Sequence, residues 1–384
     1  MTELPGVPLS DLRLSAGDLA AVAEVLASGW ITQGPRVAAF EAAFAARLGA
    51  GEAVATSSAT AALTLAYRAL GVGPGTEVVL PSYTFVATAS AAVQLGATPV
   101  FADVLGPHDL SIDPDRVAAA ITPRTRAVVA VHMAGFAAPV VALRALCDAH
   151  GVALVEDASH APGATAAGRS LGTFGDAGVF SFFANKVMGF GEGGMVVTGD
   201  AALAAACRAG RSHGLTASTW DRHRSGGEYD VEEIGFNFRM DEPRAALGQS
   251  RLAGLDAELA ARRTHLAAYR SALAGVPGVT VPYAAADLGA AAGYVLPVLL
   301  DDPARRAEVR ARLRDEHGVA TSHHYPPIHR LTAYRRLVGE VALPRTEDAA
   351  RREVTLPLFP TMTAAQRDRV VDGLRAALSR GRGG

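Results

Sequence analysis

The chain is almost without lysine: of its 36 basic residues, Lys186 alone is a lysine and arginine supplies the rest. Cysteine is nearly as scarce. Cys147 and Cys207 stand in no CxxC or paired spacing, which excludes a disulfide framework and a thiolate zinc site. A reducing cytoplasm suits such a chain. Charge of one sign is missing too, since 36 basic residues meet 38 acidic ones for a net charge of −2, and the arginines are scattered. Nothing there would neutralise a nucleic-acid backbone, so nucleic acid is not an expected partner. Long apolar runs are also lacking. The longest, residues 127–143, is broken by His132, Gly135 and Pro139 and falls short of the roughly 20 residues a membrane helix needs. The opening MTELPGVPLSDLRLS carries acids and prolines where a secretory signal has a basic start and an apolar run. A soluble protein with no membrane partner is expected.

What is present is ordinary globular composition, 49% hydrophobic and 19% charged over 384 residues, enough for two domains. Residues 1–250 read as a large domain and 251–384 as a smaller C-terminal α/β one. Between residues 52 and 198, short apolar runs alternate with alanine-rich helical stretches, the pattern of an α/β fold with a mostly parallel sheet flanked by helices. The strands are expected at AVAT (53–56), EVVL (77–80), TPVF (98–101), AVVAVH (127–132), VALVED (152–157), GVFSFF (178–183) and MVVT (195–198). Helices are expected over 60–70, 84–95, 114–121 and 139–150, each opening near Ser, Thr, Asp or Pro. A single long helical stretch is expected over 245–274, and the closing GRGG is expected to fray. Gly71-Val-Gly73-Pro-Gly75 reads as a turn; no Rossmann fingerprint or Walker motif follows, which removes nicotinamide and nucleoside-triphosphate chemistry.

In open α/β sheets ligands sit at the carboxyl ends of the strands, so polar residues just after apolar runs are the ones to weigh. Lys186, in SFFANKVMGFGEGGM, follows a strand and precedes a glycine-rich turn; a solvated loop lysine would look the same, but this one is unique in the chain. Asp157 closes a strand in VEDASHA, with Glu156 on the strand's opposite side. A carboxylate there can keep a pyridine nitrogen protonated and make the ring an electron sink, although it could equally cap the next segment. Ser57 and Ser58 lead from a strand into a strong helix, where free backbone N–H groups suit a phosphate. Tyr83 and Phe85 follow another strand, and one ring could stack on a flat cofactor. A lysine, an acid, a phosphate cradle and an aromatic at four strand ends together match the needs of pyridoxal phosphate.

The order and wording of these motifs resemble the DegT/StrS family of sugar aminotransferases, which have the fold of type I pyridoxal-phosphate enzymes. The likeness runs through SGWITQGPRVAAFEAAFA (28–45), VATSSATAAL, GVGPGTEVVLPSYTFVATA, IDPDRVAAAITPRTRAVVAVH, VEDASHAPGA, FSFFANKVMGFGEGGM and GFNFRM (235–240). By this resemblance Lys186 is the Schiff-base lysine, Asp157 the partner of the pyridine nitrogen and Phe85 the stacking ring. His160 falls on a cofactor contact, and Ala59, Thr60 and Ser181 on phosphate-binding positions. Asn237 matches an asparagine that reaches the phosphate of the neighbouring subunit, so a homodimer with shared active sites is implied. Two departures stand out: Ala59 where glycine is frequent, and Met188-Gly189-Phe190 in a segment that often contains threonine. The second is expected to lie near the substrate and to bear on its identity. A related branch that removes a hydroxyl has histidine at the lysine position, and Lys186 argues against it.

The implied activity moves an amino group from an amino donor, usually glutamate, through pyridoxal 5′-phosphate to a keto sugar carried on a nucleotide, in amino-sugar biosynthesis. Freed Lys186 would serve as general base. Dehydration or cyclisation of a non-sugar on the same cofactor is the alternative, and a ligand-sensing protein a more distant one. For the sugar nucleotide, the polar segment 211–230 offers Arg222 and Arg224, although a solvated surface loop would read alike. The loop HHYPPIH (323–329) has no zinc-motif spacing; it is expected to face the substrate through His324 and Tyr325 and to hold no metal.

Overall fold

Seven apolar runs become one sheet in the computed structural model, which describes residues 6–379. The closing GRGG lies outside the described residues. The strands β1 (Glu52–Thr56), β2 (Glu77–Pro81), β3 (Thr98–Ala102), β4 (Thr125–Val131), β5 (Ala153–Asp157), β6 (Ala177–Ser181) and β7 (Gly194–Thr198) lie in the order β1-β7-β6-β5-β4-β2-β3. Only β7 runs against its neighbours β1 and β6; every other pair is parallel. Valine-rich runs make these strands because both faces are covered, so the apolar pattern is continuous rather than alternating. Successive side chains still divide between two cores. Val78, Val129, Val155, Val179 and Val196 face one core, and Val79, Val128, Leu154, Phe180 and Val197 face the other.

Helices cover both faces. Among them are α1 (Ala16–Ser28), α2 (Pro35–Leu48), α3 (Ala59–Ala69), α4 (Ala87–Gln94), α5 (Pro114–Ala120), α6 (Val140–His150) and α7 (Ala201–Gly210). All seven expected strands and all four expected helices of this region appear, with ends displaced by only a few residues. The start of α2 is held from far away: the buried Glu242 carboxylate accepts from the N–H groups of Gly34, Arg36 and Val37 at 2.8–2.9 Å. That cap comes from a residue about two hundred positions downstream, where no local reading would find it. The glycine turn at 71–75 is present, with Gly71 and Gly75 at φ of +78° and +82°, a region open to glycine at little cost.

One expectation needs correction and one alternative is narrowed. The polar stretch 211–230 is not all loop: α8 (Thr219–Ser225) forms inside it, its start capped by the Ser218 hydroxyl, and Trp220 packs edge-on against Trp30 at 4.8 Å. The helical stretch 245–274 is two helices, α9 (Glu242–Ala253) and α10 (Leu255–Leu273). They part at Gly254, whose ψ of −2° leaves the helical range at the residue least costly to bend.

Beyond residue 278 a second, antiparallel sheet of β8 (Val279–Thr280), β9 (Leu296–Leu300) and β10 (Glu353–Leu356) meets α11 (Arg306–Asp315) and α13 (Pro344–Arg352), with α14 (Ala364–Ser379) packed on α10 and α11, while α12 (Thr332–Val338) sets Tyr334 against Phe101 of β3. The chain's first described residues join this part, Val7 pairing with both Gly318 and Ala320. The loop 323–329 returns to the large sheet and is pinned at the end of β2: Ile328 N–H donates to the Ser82 carbonyl at 2.9 Å, and His329 N–H to the Ser82 hydroxyl at 3.0 Å. A C-terminal loop is thereby laid over the strand ends of the N-terminal sheet.

Candidate active site

A cavity of about 420 Å³ opens where β5 and β6 end and α3 begins, closed from the other side by Tyr294, His324 and Tyr325. Lys186, Asp157, Ala59, Thr60, Phe85, His160 and Ser181 all line it, though they come from segments scattered over more than a hundred residues. This is the crevice that parallel-sheet topology creates.

The phosphate side is the start of α3. The Ser58 hydroxyl accepts from Ala61 N–H at 3.2 Å, leaving the first backbone N–H groups of the helix, at Ala59 and Thr60, for an anion. Ser181, last residue of β6, stands beside it in register with Gly194. Gly194 has to be glycine: a Cβ there would lie 2.4 Å from the Ser58 carbonyl and 2.6 Å from the Ala59 nitrogen. Gly194→Ala is therefore expected to push the cradle open and weaken pyridoxal-phosphate affinity at least about tenfold, or ~1.4 kcal/mol. An absorbance titration that finds unchanged affinity would remove Gly194 from the cradle.

The reactive side is Lys186, in the turn after β6, with its Nζ 4.3 Å from the centre of the Tyr294 ring. Burial pulls its ammonium down from the usual lysine range to about 7, against the opposing pull of Asp157. The amine is thus substantially neutral, and nucleophilic, near physiological pH. Asp157, last residue of β5, accepts from the Thr88 hydroxyl at 2.8 Å and from Ser159 N–H at 3.2 Å. Its strand neighbour Glu156 points away and is fully buried. Burial alone would raise that carboxyl, but hydrogen bonds from His132 at 2.9 Å and from the N–H groups of Gly172 and Gly175 hold it low. The two acids of VEDASHA therefore do different work: Glu156 ties down the loop 172–175 and Asp157 faces the cavity.

His160 is stacked on Tyr294 with ring centres 4.3 Å apart. Its Nδ1 accepts from Ala134 N–H at 3.3 Å, so Nε2 carries the proton and donates to the Tyr325 hydroxyl at 3.0 Å. Burial, then Lys186, keeps His160 well below the usual histidine range and hence neutral. Phe85 lies at the cavity mouth with its ring centre 5.9 Å from that of Tyr325, and more than half of it is exposed. A free aromatic face beside a pocket suits a flat ring.

Three candidates do not reach the cavity. Asn237 is exposed and bridges to Ser212, away from the lining. Arg222 and Arg224 sit on α8 outside it, with the Arg222 guanidinium 4.5 Å from the Tyr229 ring centre. Met188-Gly189-Phe190, expected beside the substrate, does not line the cavity either. Met188 and Phe190 are buried, and Phe190 stacks on Phe182 at 4.8 Å instead of lining the cavity. The segment fills a phenylalanine-rich core with Phe40, Phe44 and Phe182. The histidines of 323–329 diverge to separate partners, and among the described residues no group of three or more His, Cys, Asp or Glu is placed to hold a metal ion.

The structure adds residues that sequence reasoning passed over. Thr88 binds Asp157, Tyr294 forms the wall against Lys186 and His160, and Glu192 lines the mouth. Thr88 was within the motif that drew attention to Phe85, three residues along and so on the same side of a helical turn. Nothing local marks Tyr294; it reaches the cavity because its N–H donates to the Ala134 carbonyl at 2.9 Å.

A phosphate cradle closed by a glycine, a half-buried, desolvated amine, a carboxylate and an exposed ring in one cavity fit pyridoxal phosphate. The comparisons with known proteins agree. A model of the DegT/DnrJ/EryC1/StrS aminotransferase family matches residues 13–375. The dTDP-3-amino-3,4,6-trideoxy-alpha-D-glucose transaminase of Streptomyces venezuelae is 41% identical over 381 residues, 97% of this chain and 96% of the relative. The spore coat polysaccharide biosynthesis protein SpsC of Bacillus subtilis (strain 168) is 39% identical over 377 residues, 96% of each chain. The solved structure of DesV from Streptomyces venezuelae matches at a TM-score of 0.90 and 40% identity, covering 98% of this chain and 99% of that one. Further related chains have been solved in pyridoxal-phosphate and pyridoxamine-phosphate forms.

Proposed function

The chain belongs to the DegT/DnrJ/EryC1/StrS aminotransferase family, and on that premise we propose that it transfers an amino group from glutamate to a keto sugar carried on a nucleotide. Transamination of a sugar with pyridoxal 5′-phosphate as cofactor is the family's activity and this chain's. The donor, the nucleotide and the residue roles are our reading. The observation that carries it is the sole lysine, half-buried, with its amine brought down to about 7 by desolvation, facing the same cavity as Asp157.

When bound, the cofactor supplies an aldehyde that takes up nitrogen and a protonated ring that withdraws electrons. Ala59, Thr60 and Ser181 would hold its phosphate, Phe85 its ring face and His160 its edge. Asp157, steadied by Thr88, would keep the ring nitrogen protonated. Lys186 Nζ, neutral when released, would take the proton from the donor's Cα and later return one to the sugar carbon that gains nitrogen. Buried Tyr294 and His160 keep water from that amine.

His324 and Tyr325, already on the cavity wall, are our substrate contacts from the C-terminal part, which we divide from the cofactor-binding part near residue 250. Arg222, Arg224 and Asn237 belong in our reading to an active site shared across a homodimer. In support, Val231 and Ile234, just before Asn237, expose apolar side chains on the single chain. A cytoplasmic location is supported by the lone buried thiols, which burial pushes up to about 11 for Cys147 and about 12 for Cys207. Among the described residues no helix is long and apolar enough to cross a membrane.

The test is the visible absorption spectrum of purified protein with pyridoxal phosphate, before and after glutamate, with light scattering on the same sample. The expected result is a visible band that glutamate abolishes with release of 2-oxoglutarate, at twice the mass of one chain. A band indifferent to glutamate would overturn the donor, a single-chain mass the dimer, and no band the site itself.

A further inference from the structure

Behind the cavity wall lies a buried acid that the reaction above does not use. Glu353, first residue of β10, has no exposure, and one of its carboxyl oxygens contacts the wall loop while the other contacts Thr355 on its own strand. Oε2 accepts from the backbone N–H of His324 at 3.1 Å, and Oε1 is hydrogen-bonded to the hydroxyl of Thr355. That hydroxyl is also 2.9 Å from Nδ1 of His324, whose ring lines the cavity. Backbone pairing of Ser322 with Thr355, at 3.0 and 3.1 Å, fixes the loop to the strand and holds the three side chains in line.

A threonine hydroxyl has one proton, so it can donate to only one of its two partners. If Glu353 is ionised it can only accept; Thr355 then donates to Glu353, and His324 Nδ1 must donate to Thr355. The neutral ring consequently presents a bare Nε2, an acceptor. If Glu353 is protonated it donates to Thr355, Thr355 donates to Nδ1, and the ring's own proton sits on Nε2, a donor. One added proton, held at Glu353, reverses the polarity of every bond in the chain.

We propose that Glu353, acting through Thr355, is a positioning residue that sets which tautomer of His324 faces the substrate, switching the cavity wall between hydrogen-bond acceptor and donor. The donor state suits the carbonyl oxygen of a keto sugar, and the acceptor state suits a hydroxyl or the amine of the product. Reading those groups as substrate rests on the proposed transamination; the relay itself does not.

The surroundings allow this switch. Burial carries the Glu353 carboxyl up to about 8, outweighing the charges of Arg306 and Arg310 of α11, which both favour its ionised form. The His323 Nε2 lies 4.0 Å from Glu353 Oε2 and accepts from Arg306 at 3.3 Å; burial, then Arg306, lowers His323 to about 4, so it stays neutral while Glu353 titrates. Tyr83, buried, and Tyr325, half-buried on the cavity wall, are the hydroxyl-bearing rings near Glu353, and the Tyr83 hydroxyl finds no partner among the described residues. Facing His324 are Lys186 across the cavity, the hydroxyl-bearing rings of Tyr294 and Tyr325, and His323. Burial, then Lys186, lowers His324 to about 4, so its ring stays neutral and can change only tautomer over the range in which Glu353 titrates.

The test is nitrogen NMR of holoenzyme labelled with ¹⁵N-histidine, the His324 signals being identified by their loss in H324Q, between about pH 6 and 10. The expected result is an inversion, with the proton on Nε2 at the acid end and on Nδ1 at the alkaline end. In E353Q the amide donates to Thr355 at every pH, so the Nε2–H form should persist and the inversion be lost. In T355V the link is cut and the tautomer should no longer follow pH. A wild-type His324 with one tautomer throughout, or an inversion that survives in either variant, would overturn the relay. Failure of the glutamate-dependent spectral change with the inversion intact would instead overturn only the assigned reaction.

Discussion

Lys186→Ala is expected to leave a folded protein that shows no visible band with pyridoxal phosphate and transaminates at least about 10³-fold more slowly, since it loses both an amine nucleophile and a general base. No other lysine exists in the chain to substitute for it. The pH dependence is equally specific. The reactive form is the neutral amine, and desolvation at the site lowers the ammonium from 10.5 to about 7. Capture of cofactor by the apo-protein should therefore accelerate as pH rises through about 7 and level off above it, where a solvated lysine would keep accelerating to about pH 10. Stopped-flow absorbance across that range reads the midpoint directly. A midpoint near 10, or a Lys186→Ala variant that turns over within tenfold of the parent, would sink the assignment.

Asp157→Asn is the second large expected loss, of about 10³-fold or more in turnover, because an amide cannot keep a pyridine nitrogen protonated as a carboxylate does. It carries a second signature. The Asp157 charge raises the Lys186 ammonium against the effect of burial, so its removal should move the cofactor-capture midpoint below about 7. Slower turnover together with a lower midpoint is the combination that a mere loss of folding would not produce. Thr88→Val, which removes only the hydroxyl donating to Asp157, should show the same signs with smaller size. If Asp157→Asn keeps turnover within threefold, the ring-nitrogen role is wrong.

Much of this was legible residue by residue. Lys186, Asp157 and the Ser57-Ser58 helix start each follow an apolar run, and a parallel sheet sends all such ends to one edge; the cavity is at that edge. The seven strands could be read because burial on both faces leaves an unbroken apolar run with turn residues on either side. Where reading failed, the deciding contacts were distant. Met188 and Phe190 belong to the phenylalanine cluster of residues 40, 44 and 182, so proximity in sequence to Lys186 did not put them on the cavity wall. Gly254 splits a helix whose composition is uniform on both sides, and Ser218 starts a helix in a segment that composition alone gives to loop.

Sequence by itself determined the class of chemistry and the strands that carry it, because apolar periodicity, a helix start and a unique lysine are local properties of the chain. Tertiary structure decided what those residues can do. Burial against Tyr294 and His160 is what makes the amine of Lys186 neutral near pH 7, and Thr88 is what steadies Asp157. The loop 323–329, pinned on Ser82 and backed by Thr355 and Glu353, supplies a cavity wall from the other end of the chain. Desolvation and hydrogen-bond direction depend on which groups meet in space, and residues separated by hundreds of positions meet only after the chain has folded.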